Sequence, residues 1–262
     1  MKIRILGAHG SDLLLGSGNN VQRCSCIGFL VDDQLLIDAG TVASALTLDQ
    51  QQQIKFVFLS HLHLDHIKEL PMLADNLSVV LKEPIPVGGI PSVLQGLQTH
   101  LFNNELYPNF FNLAPPEKSI LTERILEPDK ESRIGHFTVT PILVNHTVLT
   151  AGLIIDDGQS ALVYSADTYE TDKIWAIASQ IPNLKAAFIE TSFPNEMPAL
   201  AQASKHLTPT LLKTEFEKIG KPDLPLFIYH LKPPFRDRIK MQLADLAISN
   251  LTVLEEGQIV EI

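Results

Sequence analysis

An apolar strand, Lys55–Leu59, runs directly into Ser60 and then into His61-Leu62-His63-Leu64-Asp65-His66. No other stretch of the chain restricts its fold so tightly. A strand that delivers polar groups at its carboxyl end is a recurrent active-site arrangement in α/β folds. His61 and His63 lie two apart, so in extended chain they point the same way. Asp65 and His66 come next, just before a predicted helix. A single histidine here would read as a solvated loop residue. Three histidines and an aspartate in six residues read as a divalent metal site. Imidazole and carboxylate suit zinc, manganese or ferrous iron, and the absence of thiolate disfavours a purely structural zinc site.

Around this run the chain alternates short apolar segments with turn signals. Strands are expected at Lys2–Leu6, Cys26–Val31, Leu35–Asp38, Lys55–Leu59, Val79–Leu81 and Ile85–Val87. Further ones are expected at Phe137–Leu143, Thr150–Ile155, Ala161–Ser165, Ala186–Ile189, Leu226–Tyr229, Leu251–Leu254 and Gln258–Glu261. Val31-Asp32-Asp33-Gln34 and Asp156-Asp157-Gly158 carry hairpin signals. Helical patterns cover Ile67–Asn76, Pro91–Leu101, Asp172–Ser179, Thr208–Ile219 and Phe235–Ile248. The fourth begins with Thr208 as N-cap and Pro209 in the first turn, and stops before Gly220. Phe102–Pro116, rich in Asn, Pro and aromatics, reads as a long loop within an insertion around residues 84–116. Nothing resembles an interdomain linker, so residues 1–262 are read as one domain, two sheets covered outside by helices.

The bulk properties exclude several classes. With 262 residues, 45% apolar and 19% charged, the chain has material for a substantial core. Its longest apolar runs are strand-sized, so no membrane span is indicated. The start is too quickly broken by Gly7 to be a secretory segment, and the protein reads as cytoplasmic. A formal net charge of −10 argues against long nucleic acid as a partner, though not against a small phosphorylated ligand. Cys24 and Cys26, two apart in a strand, are read as small buried residues, because two thiolates alone cannot build a metal site.

His-x-His-x-Asp-His is the signature of the metallo-β-lactamase superfamily, and the chain resembles that family. The resemblance implies a four-layer αβ/βα sandwich with a dinuclear metal site along one edge. It implies further ligands downstream, and His146, Asp167 and His230 follow in that order at predicted strand ends. His61, His63 and His146 would hold one metal, Asp65, His66 and His230 the other, and Asp167 would bridge them. Zinc is the first expectation for both ions. Within the superfamily the chain is most similar to the class II 3′,5′-cyclic-nucleotide phosphodiesterases. The carriers, beyond the histidine run, are Leu97-Gln98-Thr99-His100-Leu101-Phe102-Asn103, Pro108-Asn109-Phe110, Glu190-Thr191-Ser192-Phe193-Pro194-Asn195, His206-Leu207-Thr208-Pro209 and His230-Leu231-Lys232-Pro233. One departure stands out: Lys68-Glu69-Leu70-Pro71 occupies a place where many relatives have glycine, in a region bordering the pocket.

The resemblance implies hydrolysis of cyclic AMP or cyclic GMP to the 5′-nucleotide. Two metals about 3.5–4 Å apart can share a hydroxide and clamp a phosphoryl oxygen. Asp65 would belong to the catalytic centre. By similarity to tRNA 3′-end nucleases, His206 would protonate the leaving oxygen, with Glu190 as its partner. His100, Asn103 and Phe102 are candidate substrate-binding residues, the aromatic loop serving as a lid that stacks a nucleobase. An exposed aromatic insertion would also suit a homodimer. Competing readings are a tRNA or RNA 3′-processing nuclease, a thioester or lactam hydrolase, and a non-catalytic metal or nucleotide sensor.

Overall fold

The computed structural model describes residues 1–18, 20–113 and 119–262. The first half of the chain supplies β1 (Lys2–Gly7), β2 (Leu13–Ser17), β3 (Asn20–Cys24), β4 (Gly28–Val31), β5 (Leu35–Ile37), α1 (Leu48–Gln51), β6 (Phe56–Phe58), α2 (Leu64–Ile67), α3 (Leu70–Leu77), β7 (Ile85–Gly89), α4 (Pro91–His100) and β8 (Leu121–Ile125). The second half supplies β9 (Ser132–Ile134), β10 (Phe137–Val144), β11 (Thr150–Asp156), β12 (Ala161–Tyr164), α5 (Lys173–Ser179), β13 (Leu184–Glu190), α6 (Pro198–Ser204), α7 (Pro209–Glu217), β14 (Leu226–Tyr229), α8 (Arg236–Asp245), β15 (Leu251–Val253) and β16 (Ile259–Glu261).

Two seven-stranded sheets result, ordered β16-β1-β4-β5-β6-β7-β8 and β15-β14-β13-β12-β11-β10-β9. β2 and β3 pair as a separate hairpin. The sheets face one another. Phe29 of β4 meets Tyr164, Phe188 and Tyr229 of the second sheet at ring distances of 5.8, 6.0 and 5.3 Å. Alternation along β13 sends Phe188 into this interior and Ala187 and Ile189 to the other face, where α5, α7 and α8 cover them with Trp175, Phe216 and Ile239. α3 and α4 cover the first sheet with Leu73, Leu77, Val93 and Leu97. The αβ/βα sandwich expected from the sequence is therefore present.

Both predicted hairpins form. Asp32 and Asp33 take positive φ values of 48° and 58° in the three-residue connection between β4 and β5, which Gln34 N–H closes onto the Val31 carbonyl at 3.0 Å. Other expectations need correction. Val79–Leu81 is no strand: it is the turn after α3, and Val79 is 85% exposed. The helix expected over Ile67–Asn76 is two helices, α2 and α3, split at Lys68-Glu69, because Pro71 cannot continue the hydrogen-bond ladder. Cys24 ends β3 while Cys26 lies beyond it against His9, so the two do not share a strand, though both are buried. The insertion expected around 84–116 opens with β7 and α4, both integral to the first layer pair. Its irregular part begins at Leu101, and residues 114–116 lie outside the described residues. Among the described residues no helix is long and apolar enough to cross a membrane.

Candidate metal centre

The chain places its polar groups where strands end. β5 and β6 run parallel, and their carboxyl ends carry Asp38 and then Ser60, His61 and His63. α2 begins immediately and presents Asp65 and His66 in its single turn. In the second sheet β12, β13 and β14 are parallel, and β10 runs in the same sense two strands away. Their ends deliver His146 from β10, Asp167 from β12, Glu190 from β13 and His230 from β14. The seam between the sheets is thus lined from both sides.

These side chains meet around one carboxylate. Asp167 Oδ2 lies 3.6 Å from His61 Nε2, 3.3 Å from His66 Nε2, 3.9 Å from His146 Nε2 and 3.2 Å from His230 Nε2. His146 Nε2 is 3.1 Å from His63 Nδ1, and His230 Nε2 is 3.3 Å from Asp65 Oδ2. Two donor groups follow, one of His61, His63, His146 and Asp167, the other of Asp65, His66 and His230. All seven residues read as ligands from the sequence are brought together.

For His61, His66, His146 and His230 the surroundings fix which ring nitrogen turns inward. The Asp38 carboxylate only accepts, so Ser60 must donate its one hydroxyl hydrogen to Asp38 Oδ2, 2.8 Å away. Ser60 Oγ then accepts from His61 Nδ1–H at 3.0 Å. His66 Nδ1–H donates directly to Asp38 Oδ2 at 2.8 Å. On the other side Ser192 donates to Glu190 Oε2 at 3.0 Å and accepts from His230 Nδ1–H at 2.7 Å. His146 Nδ1–H donates to the Lys205 carbonyl at 3.1 Å. The Nε2 of each of these four rings is left facing the cluster. His61 Nε2, His66 Nε2, His230 Nε2 and both Asp167 oxygens are buried without a hydrogen-bond partner. Orphaned buried acceptors are costly unless something electropositive sits among them, and divalent metal is the group this oxygen and nitrogen set fits.

Electrostatics agree. Burial holds His146 and His230 down to about 4, so their rings stay neutral and able to ligate. Burial also pushes His61 well below the ordinary histidine range, helped by the neighbouring His66. His66 goes the other way: burial opposes its charge, but Asp167 and Asp38 outweigh it and raise its pKa well above the usual value.

His206 lies at the rim. Its Nδ1 is 2.7 Å from Glu190 Oε1, and its ring stands 5.0 Å from that of His146 and stacks at 5.1 Å on that of His230. Its remaining nitrogen falls within a third donor group with Asp167 and His230. Burial lowers its pKa, yet Glu190 prevails and raises it.

The aromatic loop does not behave as the sequence suggested. Phe102 is wholly buried and packs edge-on against Phe111 at 5.3 Å, with Tyr107 and Phe110 each at 6.4 Å. It faces the core and offers no surface to a nucleobase. Asn103 accepts from the backbone N–H groups of Glu105 and Leu106, so its side chain closes its own turn. His100 is exposed at the end of α4 and makes no hydrogen bond or ring contact with the cluster among the described residues. With Phe102 and Phe110 inside, the aromatic surface invoked for a homodimer is largely absent. Sequence reasoning missed Asp38, whose signal was an acid ending the apolar strand Leu35-Leu36-Ile37 just before Ala39-Gly40. It also missed the Ser60 and Ser192 hydroxyls, which carried no local signal.

A protein-family model described as "Beta-lactamase superfamily domain" matches residues 33–223, so the chain belongs to that family. A Yersinia pestis protein named "Probable 3′,5′-cyclic-nucleotide phosphodiesterase" is 26% identical over 226 residues, 76% of this chain and 64% of that protein. The chain thus spans slightly under two thirds of that relative. The Aliivibrio fischeri 3′,5′-cyclic-nucleotide phosphodiesterase is 26% identical over 289 residues, 88% of this chain and 86% of that one. Ribonuclease Z of Borreliella burgdorferi is 24% identical over 225 residues, 67% of this chain and 70% of its own length. Among solved structures, unliganded yeast PDE1 superposes with a TM-score of 0.79 at 19% identity, covering 98% of both chains. The metallo-beta-lactamase fold protein YhfI from Bacillus subtilis gives 0.74 at 20% identity, covering 99% of this chain and 98% of its own.

Proposed function

We propose that this protein hydrolyses 3′,5′-cyclic nucleotides, cyclic AMP or cyclic GMP, to 5′-nucleotides, using two divalent ions with zinc foremost. His61, His63 and His146 would hold one ion and Asp65, His66 and His230 the other, with Asp167 between the two groups. When bound, such a pair supplies Lewis acidity and lowers the pKa of a water nucleophile. The observation that carries the reading is the His206–Glu190 pair at the edge of the seven-ligand cluster. Glu190 fixes His206 Nδ1, so the ring turns Nε2 toward the reacting centre. The carboxylate keeps the imidazole protonated closer to neutrality, as a general acid requires. A water oxygen bonds to phosphorus and loses one proton to solvent, the bond from phosphorus to the 3′ oxygen breaks, the His206 proton goes to that oxygen, and His206 regains a proton from solvent. Two relatives named as cyclic-nucleotide phosphodiesterases support the substrate class.

A ribonuclease Z reading has one finding in its favour, the Borreliella burgdorferi relative. The net charge of −10 weighs against it, since affinity for long RNA grows from neutralised phosphates. Metal-loaded protein offered cyclic AMP, cyclic GMP, bis(p-nitrophenyl) phosphate and pre-tRNA separates the readings. Release of 5′-nucleotide is expected. Cleavage of the chromogen with neither cyclic nucleotide turned over would sink the substrate assignment.

A further inference from the structure

The Lys232 ammonium stands beside the cluster and takes no part in the proton transfer assigned to His206 and Glu190. Its Nζ donates to the Gly10 carbonyl at 2.6 Å and lies 3.6 Å from Asp65 Oδ2, beyond hydrogen-bond range. Of its three N–H groups one is committed, and no carboxylate among the described residues takes the others. Lys68, on the same side, differs: its Nζ is bound to Asp12 Oδ2 at 2.6 Å. We propose that Lys232 binds a non-bridging oxygen of the substrate phosphoryl group on the Asp65–His230 side of the cluster, and stabilises the charge that builds there as the ester bond breaks. The proposal rests on the phosphodiesterase reading above and deepens it.

The backbone is built to hold this cation in place. Residues 8–10 and 230–232 run side by side, with His230 N–H donating to the Ala8 carbonyl at 2.6 Å and Gly10 N–H to the Leu231 carbonyl at 3.3 Å. His9 bridges Leu231 in parallel fashion. Gly10 is the residue that allows the close approach. A Cβ there would stand 2.8 Å from Lys232 Nζ and 2.7 Å from His230 Cε1. Only a glycine lets its carbonyl reach the ammonium while the His230 ring occupies the same space. His9 in turn is tied to Glu256 at 2.8 Å, which anchors the loop from behind. Lys232 is a quarter exposed, so it is open to an incoming anion yet partly shielded from water. A cation fixed in that position costs little reorganisation when negative charge develops on the phosphoryl oxygens.

The alternative is that Lys232 merely neutralises Asp65. Lys232→Met removes the charge and keeps the stem, and Lys232→Arg restores a cation. Three readouts are taken on metal-loaded protein: bound metal, affinity for inorganic phosphate by titration calorimetry, and kcat and KM on bis(p-nitrophenyl) phosphate. Lys232→Met is expected to retain the wild-type metal content, to bind phosphate on the order of ten-fold more weakly, and to lose about 10²-fold in kcat. Lys232→Arg recovers part of both losses. Unchanged phosphate affinity and kcat overturn the proposal. So does a variant that loses metal but keeps wild-type turnover per metal bound, which assigns Lys232 to Asp65 alone. The phosphate and chromogen arms involve no nucleoside, so a wild-type protein inactive on cyclic nucleotides sinks the substrate reading without deciding this one.

Discussion

Two buried carboxylates do most of the positioning, and each serves two histidines. Asp38 holds His66 directly and His61 through the Ser60 hydroxyl. Glu190 holds His206 directly and His230 through Ser192. A serine in such a relay sets the tautomer of the ring behind it, because its single hydrogen is already committed. Removing it leaves that ring free to turn and to protonate at the wrong nitrogen. Ser192→Ala is therefore expected to weaken metal binding by about 10–100-fold, read by competition with a chromogenic chelator. Ser192→Thr, which keeps the hydroxyl, restores most of it. Equal chelator competition in wild type and Ser192→Ala would show that the relay is idle. His206→Ala separates from both. It removes the proposed proton donor and is expected to cut kcat by about 10²–10⁴-fold with metal content intact. Turnover near wild type with full metal would reduce His206 to a packing residue.

At the scale of elements, the break between α2 and α3 has a purpose that its sequence hides. Glu69 stands at the N-cap position of α3 without capping it, and turns its carboxylate onto the loop after β5, accepting from Val42 N–H at 2.7 Å, Ser44 N–H at 3.0 Å and Ser44 Oγ at 2.7 Å. Backbone bonds from Ala39 N–H to the His66 carbonyl and from Glu69 N–H to the Ala39 carbonyl stitch the same segments together. Asp38 sits at the head of this loop, so the clamp steadies the carboxylate that aims His66. Burial raises the Glu69 pKa, but the Ser44 and Val42 bonds outweigh it and bring it below the ordinary 4.5. A depressed folded pKa gives stability that is present above the unfolded value and lost as pH falls through the folded one. Glu69→Gln should then cost about 1–3 kcal/mol in urea unfolding near pH 7. The gap should close as pH drops below about 4.5. A gap that persists unchanged at pH 3 would mean packing, not charge, is at stake. Strands such as Phe56–Phe58 and Leu226–Tyr229 were legible because burial makes them almost wholly apolar. β2, β8 and β9 were not, because they are largely exposed, β8 and β9 as edge strands and β2 as an arm of a separate hairpin. Val79–Leu81 misled for the converse reason, being apolar yet exposed. The seven clustered residues were readable from residue type and order, whereas Ser60 and Ser192 gain meaning only from neighbours far away in sequence.

At the scale of the molecule, the candidate metal centre is a seam. Asp38 and the run His61–His66 belong to the first sheet's side, and His146, Asp167 and His230 to the second. Protein bonds already cross there: Tyr164 Oη donates to Asp38 Oδ2 at 2.7 Å, Ala151 N–H to the Ser60 carbonyl at 3.1 Å, and His230 N–H to the Ala8 carbonyl. Metal held by ligands from both sides would staple the two layers and be linked to folding. At a free concentration about 100 times Kd, one site adds about 2.7 kcal/mol. For a chain of this size that raises Tm by about 5–10 °C over chelator-treated protein. The increment depends on pH through His66. Its folded pKa is raised by Asp167 and Asp38 against the opposing effect of burial, so in metal-free protein its proton stabilises the fold. That contribution is fully present below the unfolded value near 6.5 and is lost as pH rises through the folded one. Metal must displace that proton from Nε2, so acid favours the metal-free state. The Tm gain on adding zinc is therefore expected to grow steadily from pH 6 to pH 8 in differential scanning calorimetry. Proton release should accompany binding, read from the buffer dependence of the titration heat. A gain that is flat across that range, with no buffer dependence, would mean that His66 enters the metal-free fold already neutral, and that Asp167 and Asp38 orient it without charging it.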